Sequence, residues 1–211
     1  MDRSIQIDTF SRFTQVSRET ITSLIKYENL IINANKRLNL IGKSTINQIW
    51  LRHFLDSAQV IDFIDKNASD LIDLGSGAGF PGLVIAILAK DREIPLRVKL
   101  IEKSPRKASF LREIIKILNL KVEVLNLNVL MQPEKLRADL IIARAFKPLK
   151  IILRFLDENT KNWDKIFLFL GKTGKVELLQ ASKNWDIQYK QRMSVTSSDS
   201  IVIEINKLRK K

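Results

Sequence analysis

Residues able to do chemistry are concentrated in one short run of the 211-residue chain, Asp73-Leu74-Gly75-Ser76-Gly77-Ala78-Gly79-Phe80-Pro81-Gly82, which holds four of its seven glycines. The apolar residues Leu71 to Leu74 predict a strand leading into it, and Leu83 to Ala89 predict an apolar helix leading out. Glycine tolerates positive φ and lets a ligand come close to the backbone, while the start of the following helix offers unpaired N–H groups. Such a turn suits a nucleotide-like cofactor. One template is the dinucleotide pattern G-x-G-x-x-G, met by Gly77, Gly79 and Gly82, with Glu102 about twenty residues beyond to hold a ribose. A turn that merely joins strand to helix would not need so many of the chain's glycines.

A second template uses Gly75, Gly77 and Gly79 with an acidic residue just ahead, and Asp73 occupies that place. A carboxylate there suits a sulfonium ligand, with its positive charge and amino group, and repels a pyrophosphate. Glu102 serves ribose hydroxyls in either template and does not discriminate. Charge adds weight. The chain has 36 Lys and Arg against 23 Asp and Glu, a formal net charge of +13, and residues 71–211 hold 27 against 15 of these. That excess favours a polyanion such as nucleic acid by long-range attraction and counterion release, although lysine-rich composition also serves solubility. The expected cofactor is S-adenosylmethionine, with a methyl acceptor made of nucleic acid. An NAD-dependent oxidoreductase and a non-catalytic RNA-binding protein of the same fold are the alternatives.

Elimination narrows the acceptor. Cysteine is absent, which excludes disulfides, thiolate metal sites and the covalent adduct that methylation of a pyrimidine carbon generally uses, and only one histidine remains for metal or acid–base work. The Asn/Asp-Pro-Pro-aromatic turn that receives an exocyclic amine is replaced by Ala143-Arg144-Ala145-Phe146-Lys147-Pro148. An arginine there suits an acceptor-rich target: phosphate, a carboxylate, or the guanine edge with its O6 and N7. Guanine N7 carries an in-plane lone pair, so transfer to it requires alignment rather than a general base. Spacing alone leaves a salt bridge or helix cap equally open for Arg144, and a core position open for Phe146 beside stacking on a flipped base. His53 reads as a packing or capping residue. Gly171-Lys172-Thr173 resembles the end of a phosphate loop, but Ile166 stands where its first glycine is required.

These groups need a scaffold. The first third reads as helical, with Ile21, Leu24, Ile25, Leu30 and Ile31 on one face, and with a second helix expected from Ser44 and Thr45, where Thr45 and Gln48 resemble a capping box. Beyond residue 70 short apolar runs alternate with helical stretches, the signature of βαβ units and a parallel sheet. The expected strands are Leu71 to Leu74, Val98 to Glu102, Val122 to Asn126, Leu140 to Ala143 and Ile166 to Leu170; Ser104-Pro105 and Pro148 mark helix starts. Trp185 to Arg192 and Ile201 to Ile205, joined by Ser194 to Ser200, predict an antiparallel ending, followed by a frayed basic tail from Lys207 to Lys211. The organisation expected is a helical extension over residues 1–70 and a Rossmann-like core over 71–211, forming one structural domain. No segment combines a basic start with an apolar run or reaches bilayer-spanning length, so the chain reads as cytoplasmic, without a membrane.

Taken together, the Asp73–Gly82 turn with its Phe-Pro-Gly ending, Arg144-Ala145-Phe146, Arg52-His53-Phe54-Leu55-Asp56-Ser57 and, more weakly, Asn35 to Leu40 resemble the bacterial RsmG family, also called glucose-inhibited division protein B, the 16S rRNA guanine-N7 methyltransferases. The resemblance spans almost the whole chain. It implies an α/β class I methyltransferase fold with a seven-stranded, mostly parallel sheet, an antiparallel last strand and an N-terminal helical extension. It further implies that Gly75 and Phe80 line the S-adenosylmethionine pocket, that Val129 and Leu130 hold the adenine, that Glu102 takes the ribose and that Arg144 meets cofactor or target as the positioning residue. The implied partner is 16S rRNA, free or within the small ribosomal subunit or its precursor, with no obligatory protein partner. Three departures stand out. Leu130 replaces a usual acidic residue, which leaves adenine to backbone contact; the family's Lys-Gly reads Leu170-Gly171-Lys172; and Ser198-Asp199-Ser200 lacks the usual basic residue. RNA contacts are accordingly expected from Lys147, Lys172, Lys175 and Arg192.

Overall fold

A computed structural model describes residues 1–131 and 135–211. Helix α1 (Arg3–Thr14) begins where the Asp2 carboxylate accepts the Ser4 N–H, and α2 (Arg18–Leu38) where the Ser17 hydroxyl accepts the Thr20 N–H, each satisfying a backbone donor the helix leaves open. The helix expected from Thr45 is different in kind. Lys43–Gln48 is a 3-10 segment and Trp50–Leu55 a π-helical turn that runs into the short α3 (Asp56–Ala58). Thr45 caps nothing, because its hydroxyl is held by Gly42 O and the His53 ring.

From β1 (Asp70–Leu74) onward the chain alternates strand and helix: α4 (Gly82–Asp91), β2 (Arg97–Ile101), α5 (Pro105–Ile117), β3 (Val122–Leu125), β4 (Leu136–Arg137), β5 (Leu140–Arg144), α6 (Leu149–Asn159), β6 (Thr160–Lys161), β7 (Lys165–Leu170) and α7 (Gly174–Ala181). β8 (Trp185–Ser194) and β9 (Ser197–Lys210) follow as a hairpin. The main sheet has the order β3-β2-β1-β5-β7-β9-β8, with β3, β2, β1, β5 and β7 parallel and β9 antiparallel to both β7 and β8. β4 and β6 form a separate parallel pair that the apolar pattern did not announce. The hairpin turns within Val195–Thr196, so the loop expected over Ser194 to Ser200 is largely strand, and the expected frayed tail pairs as far as Lys210 with Trp185. Backbone pairing of an edge hairpin is indifferent to polar side chains that face water.

Period-two alternation divides the buried side chains between two cores. Leu71, Leu100, Ile142 and Phe167 face one core with α4 and α5, while Ile72, Leu74, Ile141 and Leu168 face the other with α6 and α7. Phe10, Tyr27, Trp50 and Phe54 from the N-terminal helices belong to the first of these cores, so the extension shares the core of the sheet. Chain order reverses between β1 and β5. The crevice at the carboxyl ends of these two strands is where open α/β sheets bind ligands.

Candidate active site

At the end of β1 the Gly75 and Ser76 N–H groups both donate to Ile101 O, at 2.9 and 3.0 Å, and those of Gly79 and Phe80 donate to Ser76 O. The glycine turn is thereby fastened to the adjacent strand. Tyr27, fully buried, reaches in from α2 and donates its hydroxyl to Ala78 O at 2.6 Å. Gly79 has φ of +102°, and a Cβ there would overlap the Tyr27 hydroxyl. Gly77, at φ +57°, faces open space, its nearest non-neighbouring atom to an added Cβ being Gly75 O at 3.9 Å. Gly79 is therefore small for packing, whereas Gly77 leaves room for a ligand.

The turn forms one wall of a cleft of about 450 Å³, within the range usual for small-ligand sites. Of the residues singled out in the sequence, His53, Gly75, Gly77, Phe80, Glu102, Val129, Leu130, Arg144, Phe146 and Lys147 line this cleft. Glu102 follows β2. One of its oxygens accepts the Gly77 N–H at 2.9 Å and the other the Ser104 N–H at 2.7 Å, which leaves each oxygen a lone pair toward the cleft. Val129 is buried and Leu130 partly exposed in a 3-10 turn that closes the opposite wall.

Asp73 and Gly79 do not line the cleft. The Asp73 side chain points into the core beneath the turn, where Oδ2 accepts the Gly82 N–H at 3.0 Å and Oδ1 has no partner. The alternation of β1 aims it at α4 and away from the cleft, where the ligand amino group was expected. Burial pushes its pKa up from 3.8 to about 7, more than the Gly82 N–H holds it down. The same geometry bears on the dinucleotide template. Gly82 opens α4, and its N–H is already taken by a carboxylate, so this helix start does not present the free positive end that a pyrophosphate requires.

Arg144 closes β5 and is only 17% exposed. Its Nη1 donates to Asp56 Oδ2 at 2.8 Å and to Arg52 O at 3.1 Å, its Nη2 donates to His53 Nδ1 at 2.7 Å, and its guanidinium lies 5.3 Å from the centre of the Phe80 ring. The salt-bridge reading and the cleft-lining reading hold together. His53 stacks on Phe80, with ring centres 4.9 Å apart, and its Nε2 lies 2.9 Å from the Thr45 hydroxyl. Because Nδ1 accepts from a cation, the ring is neutral and its proton is on Nε2. Burial, Arg144 and Arg52 together lower its pKa to about 3.

Arg192 does not line the cleft. Its guanidinium pairs with the buried Glu204 at 2.9 Å and covers the Phe63 ring at 3.7 Å, which gives it a packing role. Lys172 and Lys175 are exposed at the start of α7, outside the cleft. Sequence reasoning missed the wall made by Leu40, Ile41 and Gly42, which Asn35 holds by accepting the Ile41 N–H at 2.9 Å. It also missed Lys103 and Lys107 at the mouth, and Asp56. The signal for the wall and for Asp56 was present in the matching segments Asn35 to Leu40 and Arg52 to Ser57.

A family model described as rRNA small subunit methyltransferase G matches residues 20–203. Proteins named ribosomal RNA small subunit methyltransferase G are similar along nearly the whole chain. The Pelagibacter ubique protein is 39% identical over 198 residues, covering 93% of this chain and 92% of its own. The Rickettsia prowazekii protein is 36% identical over 198 residues, covering 93% and 98%. Among solved structures, an O-methyltransferase from Bacillus cereus in complex with SAH matches with a TM-score of 0.54 at 16% identity, covering 86% of this chain and 91% of that one. M. capricolum TrmK in complex with S-adenosyl-homocysteine matches with a TM-score of 0.54 at 18% identity, covering 72% and 67%. The two structures bear on the fold alone.

Proposed function

Starting from the fact that this chain belongs to the rRNA small subunit methyltransferase G family, we propose that it transfers the methyl group of S-adenosylmethionine to N7 of a guanine in 16S rRNA. When bound, the cofactor supplies a sulfonium methyl group open to attack by a lone pair. The cleft fits such a molecule: Gly77 leaves its backbone approachable, the Glu102 carboxylate would take the ribose hydroxyls, and Val129 and Leu130 would offer an apolar wall to adenine. Gly75 and Phe80 would hold the methionine end, and Arg144, beside Phe80, would meet the cofactor or the target. Asp73 contributes by holding the turn from beneath.

The observation that carries the reading is how few groups of the described cleft could act as a general base. His53 is neutral and spends both ring nitrogens, on Arg144 and Thr45, and the one acidic residue lining the cleft, Glu102, is tethered to the Gly77 and Ser104 N–H groups with its remaining lone pairs assigned to the ribose. A nucleophile with its own in-plane lone pair needs none, so the work left to the protein is alignment and exclusion of water. The Nε–H and one Nη2–H of Arg144 remain for the ligand. Lys147 at the cleft, with Lys172 and Lys175 on the α7 side, supplies phosphate contacts to the RNA. The substrate is 16S rRNA, free or within the small subunit or its precursor.

Labelled S-adenosylmethionine, incubated with the protein and with 16S rRNA lacking the modification, as free RNA and as small subunits, tests this directly. Label on a single guanine, lost on depurination as 7-methylguanine, is the expected result. Unlabelled RNA in both forms would overturn the proposal, and salt-sensitive RNA binding without cofactor affinity would replace it with a non-catalytic role.

A further inference from the structure

Asp56 is a junction between segments far apart in sequence. Its Oδ2 accepts from Arg144, while its Oδ1 accepts from the Ser194 hydroxyl at 3.0 Å, the Thr196 hydroxyl at 3.0 Å and Gln59 Nε2 at 2.9 Å. A carboxylate oxygen has about two acceptor sites, so Oδ1, with three donors, is saturated, while Oδ2 is given to Arg144. Ser194 and Thr196 form the tip of the β8–β9 hairpin, which is fastened to the same helical turn at two more points. Gln59 Oε1 accepts the Val195 N–H at 3.2 Å, and Arg52 Nη1 donates to Thr196 O at 3.3 Å. Arg52 O is in turn the second acceptor of Arg144. Of the groups that orient Arg144, the Asp56 carboxylate is therefore gripped by the hairpin tip directly, and Arg52, whose carbonyl accepts from Arg144, is tied to the tip through its side chain.

Nothing else in the architecture requires this. The hairpin is already anchored in the sheet through β9 and β7, and its tip could end in solvent. Instead two hydroxyl residues place their protons on one oxygen of a carboxylate that is 16% exposed. With Oδ1 saturated from that side, the carboxylate plane is fixed and Oδ2 is directed at Arg144. A chain of charge-assisted bonds of this kind transmits orientation, and small misplacements of a group in a transfer site cost about tenfold to a hundredfold in rate.

We infer that the hairpin tip, through Ser194 and Thr196, is the positioning element for Arg144 in methyl transfer, acting by way of Asp56. The inference rests on Arg144 working in the reaction proposed above. Its test is a cycle of full-length variants: Ser194→Ala with Thr196→Val, Arg144→Lys, and the combination, assayed by single-turnover methyl transfer to small-subunit RNA. The tip variant should lose about tenfold or more in rate with its folded near-UV dichroism retained, and Thr196→Ser with Ser194 intact should keep the wild-type rate, because the hydroxyl survives. On the Arg144→Lys background the tip substitutions should cause no further loss. An unchanged rate in the tip variant, or equal losses on both backgrounds, overturns the inference. A readout independent of activity is the Arg144 Nε–H nuclear magnetic resonance signal, identified by its disappearance in Arg144→Lys. It should shift or broaden in the tip variant, and an unmoved signal overturns the inference even if the wild-type protein transfers no methyl group, an outcome that would count against the function alone.

Discussion

Asp73 offers the sharpest quantitative test, because its carboxyl is fully buried with one oxygen unpaired. Its pKa is about 7 in the folded protein against an ordinary value of 3.8. Below the lower value both states are protonated; between the two the folded state keeps a proton that the unfolded chain has released. Stability is therefore lost as pH rises through this window, and the full cost of burying the charge is present above about pH 7. Between pH 5 and pH 8 the change amounts to roughly 3 kcal/mol, about two pH units at ~1.4 kcal/mol each. Asp73→Asn keeps an acceptor for the Gly82 N–H and cannot ionise. Its own penalty, an unpaired amide donor costing about 1–3 kcal/mol, does not vary with pH.

Urea unfolding of both proteins at several pH values isolates the effect. His53 moves the wild-type curve the opposite way over the same interval, so the wild-type protein alone would look nearly indifferent to pH. The difference between wild type and variant removes the shared contribution. The variant should gain on the wild type by roughly 3 kcal/mol from pH 5 to pH 8. A difference flat to within about 0.5 kcal/mol would falsify the assignment of a buried, unpaired carboxyl.

Four further outcomes are expected. His53, with a pKa lowered from 6.5 to about 3, is uncharged when folded, so protonation of the unfolded chain removes roughly 2 kcal/mol between pH 8 and pH 5, a slope that His53→Gln should abolish in urea titrations. Tyr27→Phe deletes the buried hydroxyl that holds Ala78 O, and should cost about 1–2 kcal/mol of stability and weaken S-adenosylmethionine binding in calorimetry, since the turn loses its only contact from α2 among the described hydrogen bonds. Arg192→Ala strands the Glu204 carboxylate, whose side chain is 3% exposed, and should destabilise by about 3 kcal/mol while leaving RNA affinity in filter binding unchanged. Lys147→Ala should instead weaken RNA binding and lower its salt slope by about one, with stability intact.

Local patterns in this chain were legible without the structure because their physics is local. Leu71 to Leu74 followed by four glycines forces a strand and a turn, Ser104-Pro105 starts a helix from its own backbone chemistry, and short unbroken apolar runs announce which strands are buried on both faces. From these the sheet, the glycine turn, Glu102 and the cofactor class could be read. The places where reading failed are those where a polar side chain chose between partners remote in sequence. Thr45 looks like a cap and instead holds His53; Arg192 looks like a free cation and instead covers Phe63 and neutralises Glu204. Asp73 is visible from its position before the glycines, but the direction of its side chain depends on how β1 pairs and on where α4 packs. Arg144 shows the division most clearly. Its residue type and its place after β5 were visible, whereas its geometry is set by Asp56 and His53 some ninety residues earlier, and through Asp56 by a hairpin tip fifty residues later. No local propensity encodes such a pairing; it exists only once the helical turn, the sheet and the hairpin have been brought together by the burial of their apolar faces.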